Sequence, residues 1–350
     1  MKIIIDDACY AYEKLFSNLG EVQAIPGKEI NNENIKNADV LIIRSRTKAN
    51  KTLLKNSNIK FIGSCVAGLD HIDQTYLANN NIAFHSAQGC NANSVAEFVM
   101  MNLINLADEL NFNLKDKTIG IIGVGNVGKK LYKKCKIFGL KTLLNDPLRA
   151  KQEGSKNFVD LKTALGADII TVHTPLTKTG DYPTLNLINK THQELLKNKI
   201  VINTARGGVI NENMWQQTQT MANIIDCWEN EPEININLQN NAFIATPHIA
   251  GHSIDAKLMG SFMIYQSLCA YLQQPQKIKF TDLLGVIKPI NKQQTLRETF
   301  NEIYDFKKDT TVIKDLTKFE DYRRNYPNRY EWKHYSKELN SFFEKLIRNI

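Results

Sequence analysis

The amino-acid sequence predicts an α/β protein built on doubly wound parallel sheets, with more than one domain in its 350 residues. Two observations carry this prediction. Short β-branched runs alternate along the chain with segments of helical spacing. Glycine-rich or polar turns follow several of these apolar runs. Because open parallel sheets bind ligands at the carboxyl ends of their strands, a functional site is expected in those turns.

The first predicted domain covers residues 1–93. Its expected strands are the apolar runs 2–5, 40–43, 60–63 and 82–84. A long helix is then predicted to begin at Ser94, where Ser94 and Glu97 form a capping-box pattern. This helix leads into a second domain that ends near Gly251. The apolar stripe of a helix over 258–272 is expected to return the chain to the first domain.

A glycine fingerprint lies near the start of the second domain. It follows a short β-branched run, 117–122, and precedes a segment of helical spacing, 129–138. This strand, turn and helix context predicts a Rossmann-type dinucleotide-binding domain, in which the turn and the helix N-terminus hold a pyrophosphate. The predicted cofactor-binding residues of the turn are Gly123, Gly125, Asn126, Val127 and Gly128.

The identity of the dinucleotide depends on the end of the next strand. This strand, 141–145, is followed by Asp146 at about the spacing expected of the carboxylate that binds the ribose. A carboxylate there accepts hydrogen bonds from the ribose hydroxyls and repels a 2′-phosphate, so NAD is predicted. The neighbouring Arg149 keeps NADP as an alternative, because an arginine can accommodate that phosphate.

Three polar residues, Arg206, Glu231 and His248, follow later strands. The apolar runs that precede them are 200–204, 224–226 and 243–246. An arginine can hold a carboxylate bidentately and polarise a neighbouring 2-oxo oxygen. A glutamate bound to one imidazole nitrogen favours the imidazolium, and the other nitrogen can then take a hydroxyl proton as a hydride leaves. The three residues therefore predict a catalytic site for a 2-hydroxy acid.

The amino-acid composition limits the kinds of partner that this protein is expected to bind. The hydrophobic fraction of 43% and the charged fraction of 23% are ordinary for a globular protein. The net charge of +8 lies mostly in a tail where both signs alternate, which predicts a solvated surface and no nucleic-acid partner. The six cysteines form no metal-binding pattern, so reduced thiols and no metal are expected. Without a long apolar stretch or a signal-peptide pattern, no membrane association and a cytoplasmic location are predicted.

These residues give the sequence a family resemblance. It resembles the D-2-hydroxyacid dehydrogenases over most of residues 1–275, through the segments 67–73, 203–208, 226–232 and 246–251. Further segments resemble a branch of that family whose substrate is a small phosphorylated 2-hydroxy acid. These segments are 1–7, 44–50, 175–185 and 322–332. The last of them is the most specific, because generic members of the family lack this tail. Unlike most charges of the tail, its Arg323, Arg324 and Arg329 are candidate cationic ligands of a phosphorylated substrate.

The resemblance implies a domain plan. An NAD-binding Rossmann domain would cover 94–251, and a flavodoxin-like substrate domain would cover 1–93 and 252–275. A small α+β domain, 276–350, would form a homodimer. This C-terminal unit of about 75 residues would be marginal as an isolated domain, which favours packing against a second copy.

The resemblance also implies roles for individual residues. Arg206 and Glu231 would be catalytic, with His248 as the proton donor and acceptor. The implied NAD contacts, besides the glycine turn, are Asp146, Thr174, Thr204, Ala205, Arg206, Asp226 and Gly251. The implied substrate-binding residues are Ser45, Val66, Ala67, Gly68 and His252. Val66 and His252 depart from the branch, which usually has threonine and tyrosine there, and each change removes a hydroxyl.

Two alternatives to this function stay open. The substrate could be another D-2-hydroxy acid, such as 3-phosphoglycerate. The chain could also be an NAD(H)-sensing binding protein that keeps the fold without turnover. The presence of Arg206, Glu231 and His248 together argues against a purely binding role.

Overall fold

A computed structural model describes residues 1–291 and 295–340. The chain divides into two compact units. The first unit consists of Met1–Asn91 and His252–Ile287, and the second of Ala92–Gly251 together with the residues from Lys288 onward. Each unit has its own parallel sheet, so the α/β fold class is confirmed.

The first unit contains a five-stranded sheet in the order β2-β1-β3-β4-β5, the flavodoxin-like order. Its strands are β1 Lys2–Asp6, β2 Glu21–Ile25, β3 Val40–Ile43, β4 Phe61–Ser64 and β5 Ala83–Ser86. Its α-helices among the described residues are α1 Tyr12–Phe16, α2 Asn32–Ile35, α3 Lys51–Leu54, α4 Gln74–Asn79 and α12 Ile254–Tyr271. Successive β1 residues point to opposite faces, where Ile3 and Ile5 join one buried cluster and Ile4 joins another.

The second unit contains a six-stranded parallel sheet in the order β11-β10-β9-β8-β6-β7. Its strands are β6 Thr118–Ile122, β7 Lys141–Asn145, β8 Ile169–Val172, β9 Ile200–Asn203, β10 Ala222–Ile225 and β11 Ile244–Ala245. The α-helices between residues 92 and 251 are α5 Ala92–Glu109, α6 Asn126–Ile137, α7 Pro147–Glu153, α8 Leu161–Leu165, α9 Gln193–Leu196, α10 Glu212–Gln216 and α11 Ile236–Asn240.

The strand order of this sheet reverses beside β6, which pairs with β7 on one side and β8 on the other. Such a switch point is where doubly wound sheets bind ligands. The glycine turn follows β6, and the loops after β8, β9, β10 and β11 leave the same edge because all these strands are parallel. The sheet therefore gathers the predicted cofactor and catalytic loops at one edge.

The C-terminal residues add helices to the second unit. They are α13 Leu296–Ile303, α14 Lys307–Val312 and α15 Phe319–Arg324. The side chains of Ile313 and Phe319 are fully buried in the same hydrophobic cluster as Trp228 and Ala245. In the described part of the tail, the secondary structure is helical, so an α+β domain stays a prediction there. Residues 292–294 and 341–350 of the predicted dimerisation domain lie outside the described residues.

The predicted strands are confirmed to within a residue or two, but two strands were missed. β2 is half polar and largely exposed, and β8 is a short apolar run whose type periodicity alone does not decide. The predicted long helix is confirmed as α5, which begins at Ala92. The predicted capping box was wrong, because the Ser94 hydroxyl donates to Glu331 at 2.7 Å. The three-domain plan stays a prediction.

Candidate active site

The glycine turn has the conformation expected of a pyrophosphate-binding loop. Gly123 has φ 86°, a left-handed conformation that favours glycine. A Cβ atom at Gly128 would lie 2.2 Å from the Gly123 carbonyl oxygen, so α6 can pack here only with glycine. At Gly125 no atom lies within 4 Å of that position, which leaves the backbone open to a ligand. Asn126 and Val127 form the first turn of α6.

Asp146 supports the turn from the end of β7. One carboxylate oxygen accepts from the Val124 N–H at 2.9 Å, and the other accepts from the Arg149 N–H at 3.0 Å. The Arg149 side chain donates to the Val124 carbonyl at 2.8 Å and to Glu153 at 2.7 Å. Because Arg149 is already paired with a carboxylate, these contacts favour NAD over NADP.

Thr174 and His173 line the turn on the β8 side. A Cβ atom at Gly123 would lie 2.8 Å from the Thr174 methyl group. The Thr174 hydroxyl oxygen is buried without a hydrogen-bond partner among the described residues. Burial lowers the pKa of His173 to about 3, so its ring is neutral and bridges the Thr171 hydroxyl at 2.9 Å and the Thr204 hydroxyl at 3.2 Å. An unpartnered hydroxyl beside an open glycine turn fits a dinucleotide.

Glu231 and His248 form a hydrogen-bonded dyad. Both carboxylate oxygens of Glu231 lie 3.0 Å from Nδ1 of His248. One of them also accepts from the Trp228 N–H at 3.0 Å, which fixes the carboxylate. Since Nδ1 is occupied, Nε2 is the nitrogen that can exchange a proton with a ligand.

The pKa of Glu231 shows how strongly the dyad favours a carboxylate. Burial alone would raise this pKa, but the charge and hydrogen bond of His248, the nearby Arg323 and the Trp228 N–H outweigh burial. Together they lower the pKa of Glu231 to about 2. The glutamate is therefore ionised at physiological pH and stabilises a proton on the imidazole.

The loop that carries Arg206 packs directly on the Glu231 loop. A Cβ atom at Gly207 would lie 2.0 Å from the Trp228 carbonyl oxygen, so the two backbones touch. The Asn203 amide donates to the carbonyls of Arg206 at 2.9 Å and Cys227 at 3.2 Å, which ties the loops together. The half-buried Arg206 guanidinium donates to its neighbouring Ala205 carbonyl at 2.7 Å. The structure thus brings the three predicted catalytic residues to one edge of the sheet.

Asp226 holds the loop that carries His248. Its buried carboxylate accepts from the Thr246 hydroxyl at 2.6 Å, the Ile249 N–H at 2.6 Å and the Ala250 N–H at 3.0 Å. Burial raises the pKa of Asp226 despite these donors. His248 itself has φ 57°, a left-handed conformation that a non-glycine residue keeps only when its surroundings hold it. Asp226, predicted as an NAD contact, therefore also shapes the catalytic loop.

Two arginines of the tail reach the catalytic loops. Nη1 of Arg323 lies 3.8 Å from a Glu231 oxygen, and Nη2 of the fully buried Arg329 donates to the Ala250 carbonyl at 2.8 Å. The sequence marked this segment as specific to a branch of the family but did not place either arginine beside the dyad. No local pattern could do so, because both contacts depend on how the tail packs.

Cys227 also lies close to the dyad. Ligand atoms of Cys227, Glu231 and His248 are all within 4.8 Å of one another. Burial raises the pKa of the Cys227 thiol well above its usual value, which disfavours the thiolate that metals bind. The expectation of a site without a metal stays a prediction.

The predicted substrate-binding residues lie in the first unit. Ser45 follows β3 and is exposed, and residues 66–68 follow β4, which is the neighbour of β3 in the sheet. His252 precedes α12, whose Gly260 packs against the Cys65 carbonyl at the end of β4. Ser45 and residues 66–68 therefore share one edge of their own sheet, and His252 lies just before the helix that contacts the end of β4. The role of all these residues with substrate stays a prediction. Gly251 ends the adjoining stretch of the second unit.

Comparison with known proteins agrees with this site. The family model for the NAD-binding domain of the D-isomer specific 2-hydroxyacid dehydrogenases matches residues 94–250. Among solved structures, NAD⁺-bound 3-phosphoglycerate dehydrogenase of Entamoeba histolytica superposes with a TM-score of 0.65 at 25% identity. The match covers 78% of this chain and 95% of that one. Fold and site define an NAD-dependent dehydrogenase.

Relatives that match nearly the whole chain define a narrower group within this family. The erythronate-4-phosphate dehydrogenase of Ruthia magnifica subsp. Calyptogena magnifica is 57% identical over 336 residues, which are 96% of this chain and 97% of the relative. The enzyme of the same name from Hydrogenovibrio crunogenus is 49% identical over 94% of this chain and 92% of its own length. The chain therefore belongs to the erythronate-4-phosphate dehydrogenases, a branch of the D-2-hydroxyacid dehydrogenase family.

The structure also bears on membrane association. Across residues 1–291 and 295–340, no helix combines the length and the apolar character that crossing a membrane requires.

Proposed function

We propose that the protein oxidises 4-phospho-D-erythronate to 2-oxo-3-hydroxy-4-phosphobutanoate in the biosynthesis of pyridoxal 5′-phosphate. The observation that carries this proposal is the contact of both Glu231 oxygens with Nδ1 of His248, beside the Arg206 loop. The relatives that are 57% and 49% identical over nearly the whole chain support the choice of substrate.

Each side chain of the site has a defined task. Nε2 of His248 takes the proton of the C2 hydroxyl, and Glu231 stabilises the imidazolium that forms. Arg206 binds the substrate carboxylate and polarises the developing 2-oxo oxygen. When bound, NAD would supply the acceptor for the hydride of C2. The turn 123–128 would hold it together with Asp146, Thr174, Asp226 and Gly251, and the backbone of Thr204, Ala205 and Arg206 would contact its nicotinamide.

The first unit would supply further substrate contacts. We expect Ser45, Ala67 and Gly68 to bind polar groups of the substrate through a hydroxyl and through backbone N–H groups. Val66 and His252 occupy positions where the branch usually has hydroxyl side chains, so they offer fewer donors to a polyhydroxylated acid. Substitutions at these two positions therefore test the substrate specificity of the protein within the family.

Turnover on matched acids tests the proposal. Purified protein with NAD should form NADH from 4-phospho-D-erythronate with a higher kcat/KM than from 3-phosphoglycerate or D-lactate. His248→Asn should remove this activity while NAD binding, followed by calorimetry, stays intact. A clear preference for 3-phosphoglycerate would overturn the substrate. NADH-dependent partner binding without turnover on any acid would favour a sensing role instead.

A second candidate substrate is 3-phosphoglycerate. The 3-phosphoglycerate dehydrogenase neighbour shares the fold at 25% identity over 95% of its own chain, which favours this acid next. Val66→Thr distinguishes the two substrates, because the added hydroxyl should raise kcat/KM about two- to fivefold for 4-phospho-D-erythronate alone.

We further propose a cytoplasmic homodimer. The six cysteines are free thiols, which suits a reducing compartment. The homodimer rests on the resemblance of the tail to the dimerisation domain of the branch. Analytical ultracentrifugation should give twice the 39.8 kDa chain mass, and a sedimenting monomer would contradict it.

A further inference from the structure

The tail is organised around one buried carboxylate. Asp309 accepts from the phenol groups of Tyr304 at 2.7 Å, Tyr322 at 2.5 Å and Tyr326 at 3.1 Å. Burial raises the pKa of Asp309 to about 6, although the three phenols oppose that shift. Since Tyr322 lies in α15 and Tyr326 follows it, Asp309 fixes the position of that helix relative to α14.

The same segment is bound to the second unit at defined points. The Gln239 amide donates to the Ile313 carbonyl at 2.7 Å, and the Ala245 N–H donates to the Thr310 hydroxyl at 3.2 Å. Ala245 is the last residue of β11, three residues before His248. The tail is therefore attached to the strand that leads into the catalytic loop.

This attachment places Arg323, in the last turn of α15, beside the dyad. Its Nη1 atom is 3.8 Å from Oε2 of Glu231, and its side chain is only 22% exposed. The distance is longer than a hydrogen bond, so the interaction is between charges. The guanidinium contacts the carboxylate that occupies Nδ1 of His248, so the charge acts on the dyad from the Nδ1 side.

We propose that Arg323 is a positioning residue that sets the pH at which His248 accepts the substrate proton. The inference rests on the proposed function, in which unprotonated His248 is the base. A guanidinium beside Glu231 competes with the imidazolium for the carboxylate and repels the second positive charge. The charge of Arg323 therefore disfavours the imidazolium beside Glu231.

Other charged and titratable groups also face the dyad and contribute to the electrostatic field there. Arg206 approaches from the loop after β9, and Asp226 and Cys227 lie at the end of β10. Glu212 of α10 accepts from the Glu229 N–H at 2.6 Å, and burial raises its pKa to about 7. All of these groups remain in an Arg323 variant. A difference between the variant and the unchanged protein therefore reports the tail arginine alone.

The test measures His248 directly. Arg323→Gln, Arg323→Lys and Lys314→Gln are each titrated by NMR of the histidine rings, with His248 assigned from the signal lost in His248→Gln. Arg323→Gln should raise the midpoint of His248 by about 0.5–1 unit, because a nearby positive charge is removed. Arg323→Lys should stay close to the unchanged protein. Lys314, an exposed cation of the same tail, should have no effect when neutralised.

Kinetics supply the second readout. In Arg323→Gln the acid limb of kcat/KM should move to higher pH by the same interval. Activity below the midpoint should fall about three- to tenfold and approach that of the unchanged protein at high pH. The NMR titration needs no substrate, so it decides the inference even if the unchanged protein fails to oxidise 4-phospho-D-erythronate.

One result would overturn the proposal, namely a His248 midpoint that does not move in Arg323→Gln. If the KM of that variant then rises for 4-phospho-D-erythronate but not for D-erythronate, Arg323 binds the substrate phosphate instead.

Discussion

The glycine turn and the Glu231–His248 dyad lie at the same edge of one sheet, yet they are held in different ways. The turn is supported from nearby in the chain, with Asp146 accepting from Val124 across 22 positions. The dyad also depends on the tail, where Arg329 reaches Ala250 across 79 positions and Arg323 contacts Glu231. The contacts described for the cofactor turn come from residues up to Thr174, whereas the catalytic loops are also contacted by the distant tail.

The difference predicts that binding and chemistry can be separated by mutation. Changes in the tail should reduce turnover with little effect on NAD affinity. Changes in the glycine turn should reduce NAD affinity first.

The largest effect is expected at His248. His248→Gln removes the group that takes the substrate proton, so kcat should fall about 10²- to 10⁴-fold. The dissociation constant of NAD should change less than twofold, because the glycine turn is untouched. Steady-state kinetics and calorimetry check the two quantities. A large loss of NAD binding would mean that the two regions are not independent.

The next largest effect is a dependence of the free energy of unfolding on pH, caused by Glu97 at the contact between the tail and α5. Glu97 accepts from the Trp332 N–H at 3.1 Å. Burial is the main cause that raises its pKa from 4.5 to about 7, although Lys134 lowers it. The folded state therefore holds a proton that the unfolded state has lost. The contribution of Glu97 to the free energy of unfolding should therefore decrease by about 2–3 kcal/mol as the pH rises from 4.5 to 7. Above pH 7 this contribution should stay constant.

Denaturant unfolding at pH 5 and pH 8 measures this loss. Glu97→Gln should reduce it, since glutamine does not titrate. Glu194→Gln is the matched control, because the Glu194 side chain is 78% exposed. An equal loss in Glu97→Gln and in the unchanged protein would show that Glu97 is not the titrating group.

Two glycines sharpen the cofactor side of the comparison. Gly128→Ala should lower the free energy of unfolding by about 1–3 kcal/mol, because its Cβ would meet the Gly123 carbonyl. Gly125→Ala has open space and should leave stability within about 0.5 kcal/mol. It should nevertheless weaken NAD binding about tenfold, since the methyl group would occupy the approach of the pyrophosphate. Equal destabilisation by both changes would contradict this assignment of roles.

The smallest effect is expected from the tail contact with the backbone. Arg329→Met leaves the Ala250 carbonyl without its donor, so kcat should fall about tenfold. Arg329→Lys keeps a donor and should retain most of the activity. NAD affinity should be unchanged in both. Weaker NAD binding with normal kcat in Arg329→Met would place the tail on the cofactor side instead.

The sequence predicted those features that depend on neighbouring residues. Gly123 and Gly128 could be assigned because their roles follow from a strand, a turn and a helix in succession. The pairing of Glu231 with His248 was also predicted, since parallel strands deliver successive loops to one edge. β8 was missed because a four-residue apolar run has no decisive period.

Other features depend on packing that no local pattern encodes. Asp226 sits at a strand end, where a carboxylate can face a ligand or the N–H groups of another loop. Only the folded chain shows that it accepts from Ile249 and Ala250. Likewise, the sequence indicated Arg323 and Arg329 only as possible ligands of a phosphorylated substrate. Their contacts with the catalytic loops depend on how the tail packs.

The attachment of the tail also has a consequence for how the protein is made. A ribosome releases the chain from its N-terminus, so the glycine turn and β7 emerge long before α15. A growing chain can therefore build its nucleotide pocket early, while Glu231 still lacks its arginine neighbour. Until the tail has been synthesised, the loop that carries His248 also lacks its contact with Arg329.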